Sequence, residues 1–133
     1  MASKLSASDR EIRLGLWKIH ILHHAAKQAV WGLWLLEELA EHGHKLSPGT
    51  LYPALARMEE NGWIAPTSPA AGPRARRSFR ITADGLRLLE ALRHDIRELY
   101  DEVVVDRPRR PKIAGGATTK KQAPSGSRDR GVR

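Results

Sequence analysis

The stretch Leu46–Ile64, LSPGTLYPALARMEENGWI, decides how this chain is read. Leu51, Leu55 and Met58 recur at spacings of four and three, one face of a helix. Pro53 interrupts that pattern, and a proline inside a helix costs roughly 3 kcal/mol or more in a lost hydrogen bond and a clash. If Ser47 is the N-cap, Pro48 takes the first helical position, where its missing N–H is harmless, and Pro53 falls in the second turn. If Thr50 caps, Pro53 is the third helical residue and its N–H is one of the four that lack partners anyway. A tight first turn over 48–50 followed by regular helix satisfies both. Either start predicts a rigid helix end carrying Ser47, Thr50, Tyr52 and free amides, which suits phosphate. Arg57 points away from the apolar face, toward a groove or solvent. Glu59 and Glu60 fall at the far end and read as surface residues.

Upstream, residues 9–27 predict a helix capped by Ser8 or Asp9. Ile12, Leu16, Ile19, His23 and Ala26 form its apolar stripe, widened by Leu14, Trp17, Ile21 and Leu22. Residues 29–42 predict a second helix that stops near Gly43. Downstream, Gly62, Pro66, Pro69, Gly72 and Pro73 forbid helix, and WIAP and RSFRIT suit the two strands of a hairpin with a loose tip from about Pro66 to Ala75. Between Glu60 and Asp84 there is no acid, while Arg74, Arg76, Arg77 and Arg80 all fall there. Arg76 and Arg80 share a parity and project from one face of the strand. Such an edge suits contact with a DNA backbone or minor groove.

A fourth helix follows over about 83–105, with Thr82 as N-cap and Asp84 in its first turn. Its Leu89, Leu92, Ile96, Leu99 and Val103 form a heptad seam. The order helix, helix, helix, hairpin, long helix predicts a mainly α fold with a small β-hairpin. It is a winged helix-turn-helix over 8–82, then a C-terminal dimerisation helix over 83–105 and a disordered basic tail over 106–133.

Composition sets limits on function. The chain has 133 residues and no cysteine, so there is neither a disulfide framework nor a thiolate zinc site. The opening MASKLSASDREIR lacks the apolar region of a secretory signal. The longest apolar run, Ala29–Leu36, is far short of the ~20 residues of a membrane span. The expectation is a cytoplasmic, nucleoid-associated protein with no membrane partner. The net charge of +8 is concentrated at one end, where residues 106–133 hold nine Lys/Arg against two Asp. A DNA-binding reading must therefore rest on local patches, not on the total.

The run SPGTLYPALARMEENGWI, followed by GPRARRSFRITADGLRLLEAL, closely resembles the PadR family of bacterial transcriptional regulators. The matching motifs are Thr50–Leu55, the turn Met58-Glu59-Glu60-Asn61-Gly62, and Ile81-Thr82-Ala83-Asp84-Gly85 at the end of the wing. Val30–Leu39 is similar to the family's helix-two segment, with Gly32 in place. The resemblance implies a homodimeric winged helix-turn-helix repressor on a palindromic operator, dimerised by its C-terminal helix, with a small-molecule effector in some members. It implies that Thr50 and Tyr52 contact DNA backbone, that Arg57 reaches the groove, and that the Gly72–Arg80 wing touches DNA. Trp31, Trp34 and Phe79 depart from the family's usual residues.

Other features compete for attention. His20, His23 and His24 stand at i, i+3 and i+4, and His20 with His24 could share a metal given a third ligand. No acid or cysteine is near them in sequence, and His42 and His44 read as solvated, so no metal and no cofactor is assigned. Trp17, Trp31 and Trp34 could wall an effector pocket for an aromatic ligand between protomers, although core and interface packing explains them more simply. No Gly-rich phosphate loop and no carboxylate pair in an apolar setting points to an enzyme. The expected function is a sequence-specific DNA-binding regulator, a homodimer on double-stranded DNA. One alternative is a helical interaction module whose basic tail binds an acidic partner. Another is the same regulator acting as a ligand- or metal-responsive sensor.

Overall fold

The computed structural model describes residues 6–67 and 77–106. Helix α1 spans Ala7–Lys27 and starts earlier than the Ser8 or Asp9 cap expected of it. Ser6 is the N-cap: Asp9 N–H donates to Ser6 Oγ and Ser6 N–H to Asp9 Oδ2, both at 3.1 Å. This reciprocal box satisfies two amides that the helix leaves unbonded, so it outcompetes a cap one turn deeper.

The face of α1 that enters the core is also not the expected stripe. Trp17, Ile21, Leu22 and Ala25 are buried, whereas Ile12 and Leu16 are 79% and 47% exposed. The helix has two apolar faces, and this chain's own core covers one of them.

The second helix does not begin at Ala29. Val30–Trp31 form a short strand β1, and helix α2 runs from Gly32 to Glu41. A β-branched and an aromatic residue favour the pleated surface, and here they have a strand to join. β2 spans Ile64–Pro66 and β3 spans Ser78–Ile81. The wing is thus a three-stranded antiparallel sheet ordered β1-β3-β2, not a two-stranded hairpin. Val30 pairs with Phe79 and Trp31 with Ser78, while Ile64 pairs with Ile81 across the other edge. This register sends Val30, Ile64 and Phe79 into the core.

Helix α3 runs from Pro48 to Glu60 with Ser47 as N-cap. Both Thr50 and Leu51 donate their N–H to Ser47 O at 3.0 Å, so the first turn is tight and regular helix follows. Pro53 is interior, and the donor it removes is the one owed to Gly49 O. Leu51, Ala54, Leu55 and Met58 are buried beneath it.

Helices α2 and α3 end in the same way. Gly43 (φ 84°) and Gly62 (φ 76°) adopt the left-handed conformation that glycine reaches without strain. His44 N–H then closes on Leu39 O (2.8 Å), and Trp63 N–H on Met58 O (3.0 Å).

Helix α4, Ala83–Leu99, is seated by two residues of the ITADG motif. Thr82 Oγ1 accepts from Gly85 N–H (3.0 Å) and its hydroxyl donates to Gly62 O, tying the end of α3 to the start of α4. Gly85 lies so close to Trp63 that a Cβ there would sit 2.0 Å from the Trp63 carbonyl oxygen. After Leu99 the helix widens into a π turn, Tyr100–Val104, closed by Val105 N–H donating to Tyr100 O at 3.1 Å.

The heptad seam on α4 divides along its length. Leu89, expected at a dimer interface, is 1% exposed in this chain's own core, because α4 packs on α1 and the wing there. Leu92 is packed against the same core. Ile96, Leu99 and Val103 lie beyond the body of the chain and are 40%, 56% and 67% exposed.

Candidate nucleic-acid interface

Helix α3 and the wing meet at a cleft of about 360 Å³ lined by Trp31, Gly32, Tyr52, Leu55, Glu59, Arg77 and Phe79, among others. Tyr52 is half exposed, and its ring rests on Gly32 at the start of α2. A Cβ on Gly32 would lie 2.5 Å from the Tyr52 hydroxyl, so this glycine makes room for the tyrosine. Arg77 enters from the start of β3, its guanidinium carbon 5.3 Å from the centroid of the Phe79 ring. Helix α3 and the start of β3 therefore share this cleft.

Arg77 is not free of acids, as the run from Glu60 to Asp84 suggested. Glu59, one residue outside that run, receives Arg77 Nη2 at 3.1 and 3.3 Å. Both partners are partly solvated, 56% and 31% exposed, and such pairs contribute no more than about 1 kcal/mol. Arg57 and Arg80 are exposed. Arg74 and Arg76, like most of the hairpin tip and the basic tail, lie outside the described residues.

At the tip of α3, Ser47 Oγ and Thr50 Oγ1 are 3.2 Å apart and hydrogen-bonded. The Thr50 and Leu51 N–H groups are already spent on Ser47 O and Pro48 supplies none, so the tip presents fewer free donors than expected. A Cβ on Gly49 would meet nothing nearer than Ser47 Oγ at 3.8 Å, so this end of the helix is open to close approach.

Within one chain the three tryptophans are divided between core and surface. Trp17 is 2% exposed in the core, while Trp31 and Trp34 stand together with ring centroids 6.2 Å apart. Only Trp31 of the three lines the cleft.

The histidines depart furthest from expectation. Glu38 of α2 reaches His24, supplying the acid that local sequence did not show; His42 is exposed, as expected, whereas His44 is partly buried, and both rings pack against His20. Burial, followed by neighbouring imidazoles, holds His20 below the usual imidazole pKa. Burial is also the first cause for His23, ahead of Lys27, and for His24, where it outweighs the opposing pull of Glu38.

Residues 21–91 match the family model described as the transcriptional regulator PadR-like family. The chain belongs to the PadR family of transcriptional regulators. It is 43% identical over 95 residues to the transcriptional regulator Rv3488 of Mycobacterium tuberculosis, covering 71% of this chain and 89% of that one. A PadR-family regulator from Eggerthella lenta superposes with a TM-score of 0.61 at 31% identity, covering 70% of this chain and 82% of that one. A PadR-like regulator from Bacillus cereus gives 0.62 at 30% identity, covering 70% and 92%. These likenesses make the PadR protein a winged helix-turn-helix regulator and not an enzyme. Among its described residues, no helix is long and apolar enough to cross a membrane.

Proposed function

We propose that this PadR-family regulator binds double-stranded DNA as a homodimer on a palindromic operator and represses transcription from it, working in the cytoplasm on the nucleoid. The observation that supports this most directly is the shared cleft: Tyr52 on α3 and Arg77 just before β3 both line it, so a single duplex can touch both. In this reading α3 enters the major groove, with Arg57 facing bases and Ser47, Thr50 and Tyr52 holding the backbone. Arg77 and Arg80 follow the adjacent phosphates from the wing, with Arg74 and Arg76 assigned to the same role from sequence alone.

Dimerisation is supported by the apolar residues left uncovered. Ile96 and Leu99 on α4, Val103 in the π turn that follows it, and Ile12 and Leu16 on α1 are large, exposed and unneeded by this chain's own core. In this reading a two-fold pairing of these helices must hold the two α3 helices about 34 Å apart, one turn of DNA. Selecting bound fragments from random DNA with the purified full chain tests the whole reading. The expected product is an inverted repeat with half-sites about 10 base pairs apart. Recovery of no enriched sequence, or of a lone asymmetric half-site, overturns it.

A further inference from the structure

Two imidazoles converge on one carboxylate where the C-terminal half of α1 meets the end of α2, and two more rings pack beside them. His24 comes from α1, Glu38 from the last turns of α2, and His42 is the residue that caps α2. Glu38 Oε1 lies 3.6 Å from His24 Nε2 and 3.3 Å from His42 Nε2. All three donor atoms fall within 4.8 Å of one another. His20, one helical turn before His24, packs its ring on His42 (5.7 Å between centroids) and on His44 (5.1 Å). The cluster stands apart from the cleft between α3 and the wing.

We propose that His24, Glu38 and His42 form a site for one divalent transition-metal ion of the zinc class, which ties α1 to the helix-turn-helix. The separations fit that use. Metal–ligand bonds of about 2.1 Å in a tetrahedral site put neighbouring donors about 3.4 Å apart, close to the two distances from Glu38. A hydrogen bond accounts for a single His–Glu contact. It does not account for two Nε2 atoms converging on one oxygen with a third and a fourth imidazole stacked behind them.

The donor set also selects the ion. Imidazole nitrogen with one carboxylate favours Zn²⁺, Co²⁺, Ni²⁺ or Cu²⁺ over Mg²⁺ and Ca²⁺, which prefer oxygen. The chain has no cysteine, so a thiolate-seeking ion gains nothing here. His42 precedes the left-handed Gly43 and His44 follows it, so an ion held at His42 grips the turn that leads into α3.

The test uses the untagged full chain, stripped with chelator and titrated with Co²⁺ alone, followed by Zn²⁺ as competitor. The expected result is a saturable visible ligand-field band at one Co²⁺ per chain that Zn²⁺ abolishes. Tryptophan fluorescence should be quenched in parallel, because the Trp34 ring is 5.2 Å from the His24 ring. Glu38→Gln and His42→Ala should each weaken binding at least ~10-fold, a loss typical of perturbed metal sites. His94→Ala, on α4 outside the cluster, should leave it unchanged. His42 is 53% exposed on its side chain, so its replacement leaves the fold intact. Absence of one-to-one binding by the wild type, or binding by both cluster variants within about twofold of wild type, overturns the site. No step of this test involves DNA, so its failure and the failure of the operator reading are told apart.

Discussion

Arg77 and Glu59 bind each other across the junction of wing and recognition helix, with Nη2 at 3.1 and 3.3 Å from the two carboxylate oxygens. The pair is solvated enough for a phosphate to displace the carboxylate. Glu59→Gln should therefore tighten DNA binding and steepen its salt dependence, since one more cation is available to release counterions. Arg77→Ala should lower the slope of log K against log salt by about one. Fluorescence anisotropy at several salt concentrations measures both. Equal slopes in wild type and both variants would remove Arg77 from the interface.

Gly32 and Tyr52 make the second prediction. The atoms nearest to a methyl at Gly32 belong to the outer end of the Tyr52 side chain, which is 52% exposed and can swing into solvent. Gly32→Ala should thus leave thermal stability within about 1 kcal/mol while weakening operator binding as Tyr52→Ala does. A variant that melts normally and binds normally shows that the seat of Tyr52 is irrelevant to DNA.

Gly85 should tolerate nothing larger. Its added Cβ meets the Trp63 backbone, which cannot rotate aside. Gly85→Ala is expected to cost more than about 3 kcal/mol, at the upper end for overpacking. Thr82→Ala removes a cap at about 1–2 kcal/mol. Urea unfolding should rank them in that order.

The α4 seam predicts two separable phenotypes. Leu99→Glu alters a 56% exposed residue, so the fold should survive and the dimer should fail in sedimentation. Leu89→Ala empties a fully buried site and should destabilise the fold itself by about 2–5 kcal/mol.

Three histidines give a pH signature. His20, His23 and His24 titrate below 6.5 in the folded chain and near 6.5 when unfolded. Between those values the unfolded chain binds more protons, so stability rises with pH there. With chelator present, the melting temperature should be level above about pH 7 and fall as pH drops below about 6.5. Melts kept above pH 5 avoid the separate effect of Asp9, whose hydrogen bonds with Ser6 hold its carboxyl below 3.8. A melting temperature that does not fall over this range contradicts the assignment.

Much of this fold can be read along the chain because its signals are local. The period of Leu51, Leu55 and Met58, the stops at Gly43 and Gly62, and the cap at Thr82 each act within one or two turns. What escaped depends on partners distant in sequence. Val30 and Trp31 are a strand only because Phe79 and Ser78 lie alongside. The Arg77–Glu59 pair spans 18 residues, and the Glu38 contact with His24 exists only once two helices cross. On α1, Ile12 and Ile21 are equally hydrophobic, and periodicity cannot say which of two apolar faces a single chain will cover.

The strand β1 has a mechanical consequence. It fastens the leading end of α2 to β3, Tyr52 leans on the residue where α2 begins, and Thr82 hooks the wing to the end of α3. Helix two, α3 and the wing are therefore fastened into one stiff unit. Under the pairing proposed above, a signal has little leverage to reshape that unit and would act instead on the joint through α1 and α4, by changing how far apart, and at what tilt, two such units are held.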